Sequence, residues 1–138
     1  MYRFIGLFFI CTLIFSCRSQ RELVGIGKKD FIEEFKTLSF CRCIENGSNR
    51  KFNLAAEDVS CRLPDFMYSH YAVIDSLGKI EAIKIKQDSV SRIGRVAEGM
   101  DGKVILFHCI RSMNSKALRK IAKARYLWDV KILKQDFR

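Results

Sequence analysis

The chain opens on a segment unlike the rest. After Met1-Tyr2-Arg3 comes a mainly apolar run, FIGLFFICTLIF, from Phe4 to Phe15. About a dozen residues fall short of the roughly 20 that a helix needs to cross a bilayer. A short charged head followed by such a run fits the h-region of an export signal over residues 1–16. Residues 17–29, CRSQRELVGIGKK, hold no sustained period and read as a flexible tether. From Asp30 the pattern becomes helical. Asp30 with Glu33 makes a capping-box-like start, and Phe31, Phe35 and Leu38 form one apolar stripe. Gly47, inside Asn46-Gly47-Ser48-Asn49, supplies the stop.

A second, short helix is predicted from Asn53 as cap through Leu54, Ala55, Ala56 and Val59 to Cys61, with Pro64 ending it. A third starts near Ser69 and carries Tyr71, Ile74, Leu77, Ala82 and Ile85. Gly78 weakens its middle, and the alternation Ile80, Ala82-Ile83, Ile85 also admits a strand. Residues 87–102 have three glycines and no sustained period, which predicts a loop with room for one helical turn. Asp101 then opens the most apolar helix, Val104 to Met113, expected to be the central and most buried element. Asn114-Ser115 breaks it. Ser115 caps a last helix with Leu118, Ile121, Ala122 and Arg125, and the apolar stretch Tyr126 to Ile132 is expected to pack back on the core. With one proline and scarce breakers, the class is all-α. It is a single bundle of four to five helices over 30–138, large enough for one real core.

Composition adds two constraints. The charge is +10, from 25 Lys+Arg against 15 Asp+Glu, which favours acidic partners. Six cysteines are present: Cys11 and Cys17 in or beside the leader, Cys41, Cys43, Cys61 and Cys109 in the body. An exported domain with four body cysteines is expected to form two disulfides. Cys41 and Cys43 lie about 200° apart around a helix and cannot bridge each other. The economical pairing is Cys41–Cys109 with Cys43–Cys61, because Cys41 flanks the Leu38 stripe and Cys109 sits in the apolar helix; the other connectivities stay open.

Catalytic chemistry finds little support. The cysteines lack the C-x-x-C spacing of a zinc ribbon, even with His70 or His108 as a further ligand. Cys109 adjoins His108, but helix neighbours diverge by about 100°, so a cysteine–histidine nucleophile is not indicated. No carboxylate pair or phosphate-cradling loop stands out. Neither enzyme activity, metal nor cofactor is expected. Lys79, Lys84, Lys86, Arg92 and Arg95 could form a positive surface, though they read better as a solvated face; without interleaved aromatics and with an export signal they do not suggest nucleic acid. Asn46-Gly47-Ser48 matches the glycan acceptor pattern, which matters only in a eukaryotic secretory pathway.

Two resemblances sharpen this. Ile14-Phe15-Ser16-Cys17 resembles a bacterial lipobox, with Phe15 larger than that pattern favours; it implies acylation of Cys17 and an outer-membrane anchor, against ordinary cleavage after Ser19. Cys109-Ile110-Arg111-Ser112-Met113-Asn114-Ser115-Lys116-Ala117-Leu118 resembles the C-terminal motif of type VI secretion amidase immunity proteins, and Phe35 to Cys41 (FKTLSFC) is similar to that family's first helix. Met113, Asn114 and Ala117 depart from the motif's aromatic, His and Glu. The resemblance implies a periplasmic, all-helical homodimer that blocks a papain-like cysteine amidase cutting peptidoglycan peptides. It also implies a cysteine in the first and penultimate helices, as Cys41 and Cys109. Its inhibitory loop falls by position at 88–102, where Arg92, Arg95, Glu98, Met100 and Asp101 are the contact candidates. Identities there do not match residue by residue. Two other readings compete: an envelope lipoprotein that binds a general acidic partner, and a eukaryotic secreted helical disulfide protein.

Overall fold

A 20-residue helix, α1 (Lys28–Gly47), is the hub on which the other elements pack. The computed structural model describes residues 26–95 and 102–136; the segment expected to be an export signal, Cys11, Cys17 and most of the expected tether lie outside the described residues. Around α1 stand α2 (Leu54–Glu57), 3-10 turns at Val59–Cys61 and Asp65–His70, α3 (Tyr71–Arg92), α4 (Ile105–Met113) and α5 (Lys116–Asp136). The described residues are 81% helical and contain no strand. No helix among them is long and apolar enough to cross a membrane.

The predicted stripe on α1 forms the main core. Phe31, Phe35 and Leu38 are buried with Met67, Ile74, Leu118 and Ala122. Further along, Cys43 meets Ile85 and Cys109 in a second cluster, flanked by Phe40, Ile44 and Ile105. One helix thus serves two cores. It starts two residues before Asp30, with Gly27 extended at its N-cap and Asp30 in the first turn, where a carboxylate suits the helix dipole. It ends at Gly47, but Gly47 is not the breaker. The reversal is made by Asn49 and Arg50, both at φ 57°, with Arg50 N–H donating to the Glu45 carbonyl. Gly47 instead leaves room for Ile85 and Ile105, whose side chains would lie 3.0 and 3.1 Å from an added Cβ. α1 has no basic residue in its last turn; Lys103 reaches back across sequence to donate to the Gly47 carbonyl at 3.0 Å and to Asn49 Oδ1 at 3.1 Å.

Several expectations need correction. The second helix is only four residues long, because the Asp58 carboxylate takes the Ser60 N–H at 2.9 Å and starts a separate turn. Pro64 opens the next 3-10 turn rather than closing a helix. Ser69 lies inside that turn, and α3 begins at Tyr71 and runs unbroken through Ile80–Ile85. α3 also continues to Arg92, through residues 87–92 of the predicted loop, where Arg92 faces Asp88 one turn away, after Lys79–Asp75 and Lys84–Glu81 pairs earlier in the helix. α4 is not the buried centre: it starts at Ile105, and only Cys109 is buried. Asp101 lies outside the described residues. α5 does begin at the Ser115 cap, whose Oγ accepts the Leu118 N–H at 3.0 Å. It then carries Tyr126 to Ile132 in the same helix, with Tyr126 edge-on to Phe31 at 5.5 Å.

The disulfides join Cys41 to Cys61 and Cys43 to Cys109, with Cα separations of 5.7 and 5.6 Å. This reverses the expected partners. The geometry that keeps Cys41 and Cys43 apart holds, but the apolar stripe flanked by Cys41 faces the 3-10 segment and α5. α4 packs against the side that Cys43 presents. α1 is still tied once to the 59–61 turn and once to α4.

Candidate partner-binding surface

α4 and α5 meet at Asn114-Ser115, where the Ser112 carbonyl takes the Ser115 N–H and the chain changes direction. The crook leaves a groove of about 470 Å³ against α3. α3 contributes Leu77, Ile80, Glu81 and Lys84, α4 contributes His108, Arg111 and Ser112, and α5 contributes Ser115, Ala117, Leu118 and Ile121. Much of the segment Arg111 to Leu118 therefore lines one concave surface. Beside it, α4 exposes Leu106 by 61%, Phe107 by 58% and Ile110 by 49%. Three large apolar side chains in solvent on a nine-residue helix are more than scattered surface leucines would give. They face outward because Cys109, bonded to Cys43, and Ile105, packed in the second core cluster, fix which side of α4 is inside.

The groove's charge is mixed but net positive. Glu81 is held by Lys84 at 2.6 Å, and Arg111 is exposed. At the rim, His108 Nε2 lies 3.4 Å from Asp88 Oδ2, and the Phe107 ring stands edge-on to the imidazole at 5.8 Å. Ser112 and Ser115 are close by in sequence, yet no hydrogen bond among the described residues links either hydroxyl to His108. Ser115 Oγ is engaged in capping α5. The four body cysteines are all disulfide-bonded, so none is a thiolate nucleophile.

The expected basic surface divides. Lys79 and Lys86, seven residues apart, share one side of α3, while Lys84 lies toward the groove. Of the expected inhibitory loop, Arg92 is half-buried at the end of α3 within 3.9 Å of Asp88, and Arg95 is exposed in the following turn. Glu98, Met100 and Asp101 lie outside the described residues. No group of His, Cys, Asp and Glu among the described residues is placed to hold a metal ion.

His70 is the feature that sequence reading underrated. It is fully buried, edge-on to Phe31, Phe35 and Trp128, and its Nε2 lies 2.8 Å from Asp129 Oδ2. Its Nδ1 has no partner among the described residues. The Nε2–H therefore donates to the carboxylate, pinning α5 to the turn before α3. No local signal pairs two residues 59 positions apart.

Elsewhere carboxylates follow their surroundings. Hydrogen bonding to Lys79 holds the Asp75 carboxyl below its ordinary value, with smaller help from Asn46 and Arg50. Burial pushes Glu34 up. Compared with protein-family models, curated proteins and solved structures, the chain matches none.

Proposed function

We propose that this chain is an exported inhibitor: a periplasmic immunity protein that binds and blocks a peptidoglycan-cleaving cysteine amidase delivered by type VI secretion. The observation that carries this reading is the exposed row Leu106, Phe107 and Ile110 on a helix locked by Cys43–Cys109, beside a groove with Lys84 and Arg111. A rigid apolar ridge flanked by positive charge suits insertion into an acidic cleft, because pre-ordered groups forfeit less entropy on docking and complementary charge speeds the encounter. Half of the segment that carries the resemblance, Cys109 to Leu118, lines this same groove through Arg111, Ser112, Ser115, Ala117 and Leu118, which supports the reading.

On this reading no chemistry is asked of the chain itself. A two-copy assembly belongs to the same proposal, with Ile83 and Val90, 58% and 61% exposed on the outer side of α3, as residues a second copy would cover. The test is protection: cells secreting the amidase into the periplasm should survive with the native chain. With Phe107→Asp and Ile110→Asp they should lyse, and binding should weaken at least about a hundredfold, as expected where buried apolar anchors become charged. Full protection by the double variant, correctly folded, would move the inhibitory site away from α4.

A further inference from the structure

The solvent side of α5 carries charge without counter-charge. On α1 and α3 three of the six lysines come with an acid one turn away, Lys36 with Glu33, Lys79 with Asp75 and Lys84 with Glu81, at 2.6 to 2.8 Å. α5 instead has seven Lys or Arg against two Asp, and Asp129 is turned inward onto His70. At about 100° per residue, Lys116, Lys120, Lys123, Leu127, Lys131 and Lys134 fall on one stripe. That stripe lies opposite the buried Leu118 and Ala122. All five lysines are exposed, and none is in an ion pair among the described residues. Lys116–Lys120, Lys120–Lys123 and Lys131–Lys134 are like-charge neighbours at helical spacing, an unfavourable arrangement for an isolated helix. An apolar residue, Leu127, 56% exposed, sits in the middle of the row, with Trp128, 48% exposed, on its flank.

We infer that this face of α5 docks on an anionic lipid bilayer, with the lysines among headgroup phosphates and Leu127 at the acyl boundary. Charge complementarity selects the occupant. The row is roughly 27 Å long and straight, so it fits an extended plane better than a cleft. Lysines are point charges that suit diffuse headgroups; a site for one oriented phosphate would favour arginine forks. A basic helix face with an embedded apolar residue is what an anionic membrane surface attracts, and the central Leu127 has no use against a nucleic-acid backbone. This surface is separate from the groove, so the inference holds whichever protein the groove binds.

The experiment is co-sedimentation of the full chain with vesicles of phosphatidylcholine alone and of phosphatidylcholine mixed with phosphatidylglycerol. The native chain is expected to bind the anionic vesicles more tightly. Lys120→Glu/Lys123→Glu/Lys131→Glu should lose that increment by at least about a hundredfold, since each lysine near the surface contributes roughly a fivefold factor. Lys28→Glu/Lys29→Glu/Lys51→Glu, which changes the total charge equally at exposed sites on or just after α1, should keep most of it. The apolar run at 4–15 is common to all three proteins, so its own affinity for lipid cancels. Circular dichroism confirms that each is folded. Equal losses in both triple variants would reduce the effect to bulk charge and overturn the assignment, as would anionic-vesicle binding unchanged by the α5 substitutions. Duplex DNA bound as tightly as the anionic vesicles at the same salt would equally refute a lipid-specific face.

Discussion

Gly78→Ala separates two opposite expectations. As a residue in the middle of a helix, Gly78 should be improved by alanine, by about 1 kcal/mol. In the fold, it is where α1 and α3 touch. A Cβ there would lie 2.8 Å from the Arg42 carbonyl carbon and 2.9 Å from its oxygen. Carbon atoms are comfortable at about 3.5–4.0 Å, so the two helices must part by roughly 0.7–1 Å. Backbone cannot swing aside as a side-chain tip can. A gap of that width forfeits a quarter to a half of each contact's attraction, and it opens beside Ile74 and Ile85, which are almost wholly buried. Overpacking of this kind costs about 1–3 kcal/mol; with the backbone as obstacle the upper end applies. Less the helix gain, the net loss is about 2 kcal/mol, or roughly 5–10 °C in Tm for a domain of this size. Gly47→Ala is the graded comparison: its added Cβ meets only side-chain atoms of Ile85 and Ile105, which can shift, so the loss should be smaller. Thermal melts of the oxidised proteins, followed by circular dichroism, read both. A Tm for Gly78→Ala at or above the native value would refute the close approach of α1 and α3.

Other outcomes follow from particular contacts. Peptide mapping without reduction should recover Cys41 linked to Cys61 and Cys43 linked to Cys109. Replacing the pair with sequence separation 66 by serines should cost about 4 kcal/mol and the pair with separation 20 about 3 kcal/mol, on loop-closure entropy; a 41–109 peptide would refute the pairing. Asp129→Ala leaves the buried His70 N–H without an acceptor and should lower the urea-unfolding free energy by about 1–3 kcal/mol, whereas an unchanged value would deny that the pair braces α5. For Asp75 the folded pKa is lowered, so its stabilisation is present above the unfolded value of 3.8 and is lost as pH falls through the folded one. Asp75→Asn should therefore flatten the acid limb of a stability–pH profile below about pH 4. Burial of Glu34 acts with the opposite sign, its raised pKa favouring the fold on the acid side, so the variant is compared with the native chain rather than with a fixed slope.

The helix content was legible because it rests on local physics. The apolar spacing of Phe31, Phe35 and Leu38, the Ser115 cap and the scarcity of prolines each act within a turn or two of chain, and each appears in the fold. The tethering of α1 at two points was also readable from the 200° between Cys41 and Cys43. Which partner each cysteine takes was not, because that depends on the side of α1 that α4 occupies. For the same reason the apolar helix 105–113 reads as buried in sequence, yet leaves Leu106, Phe107 and Ile110 in water. Hydrophobicity sets the cost of exposing a helix but not how much neighbouring surface is available to cover it. Gly78 read as a weakness and His70 gave no sign of a role, since the groups that give them meaning, Arg42 and Asp129, are remote in sequence. Local spacing determined that this chain makes helices; the packing around α1, where a glycine admits close contact and a disulfide orients α4, decided which faces are left for a partner.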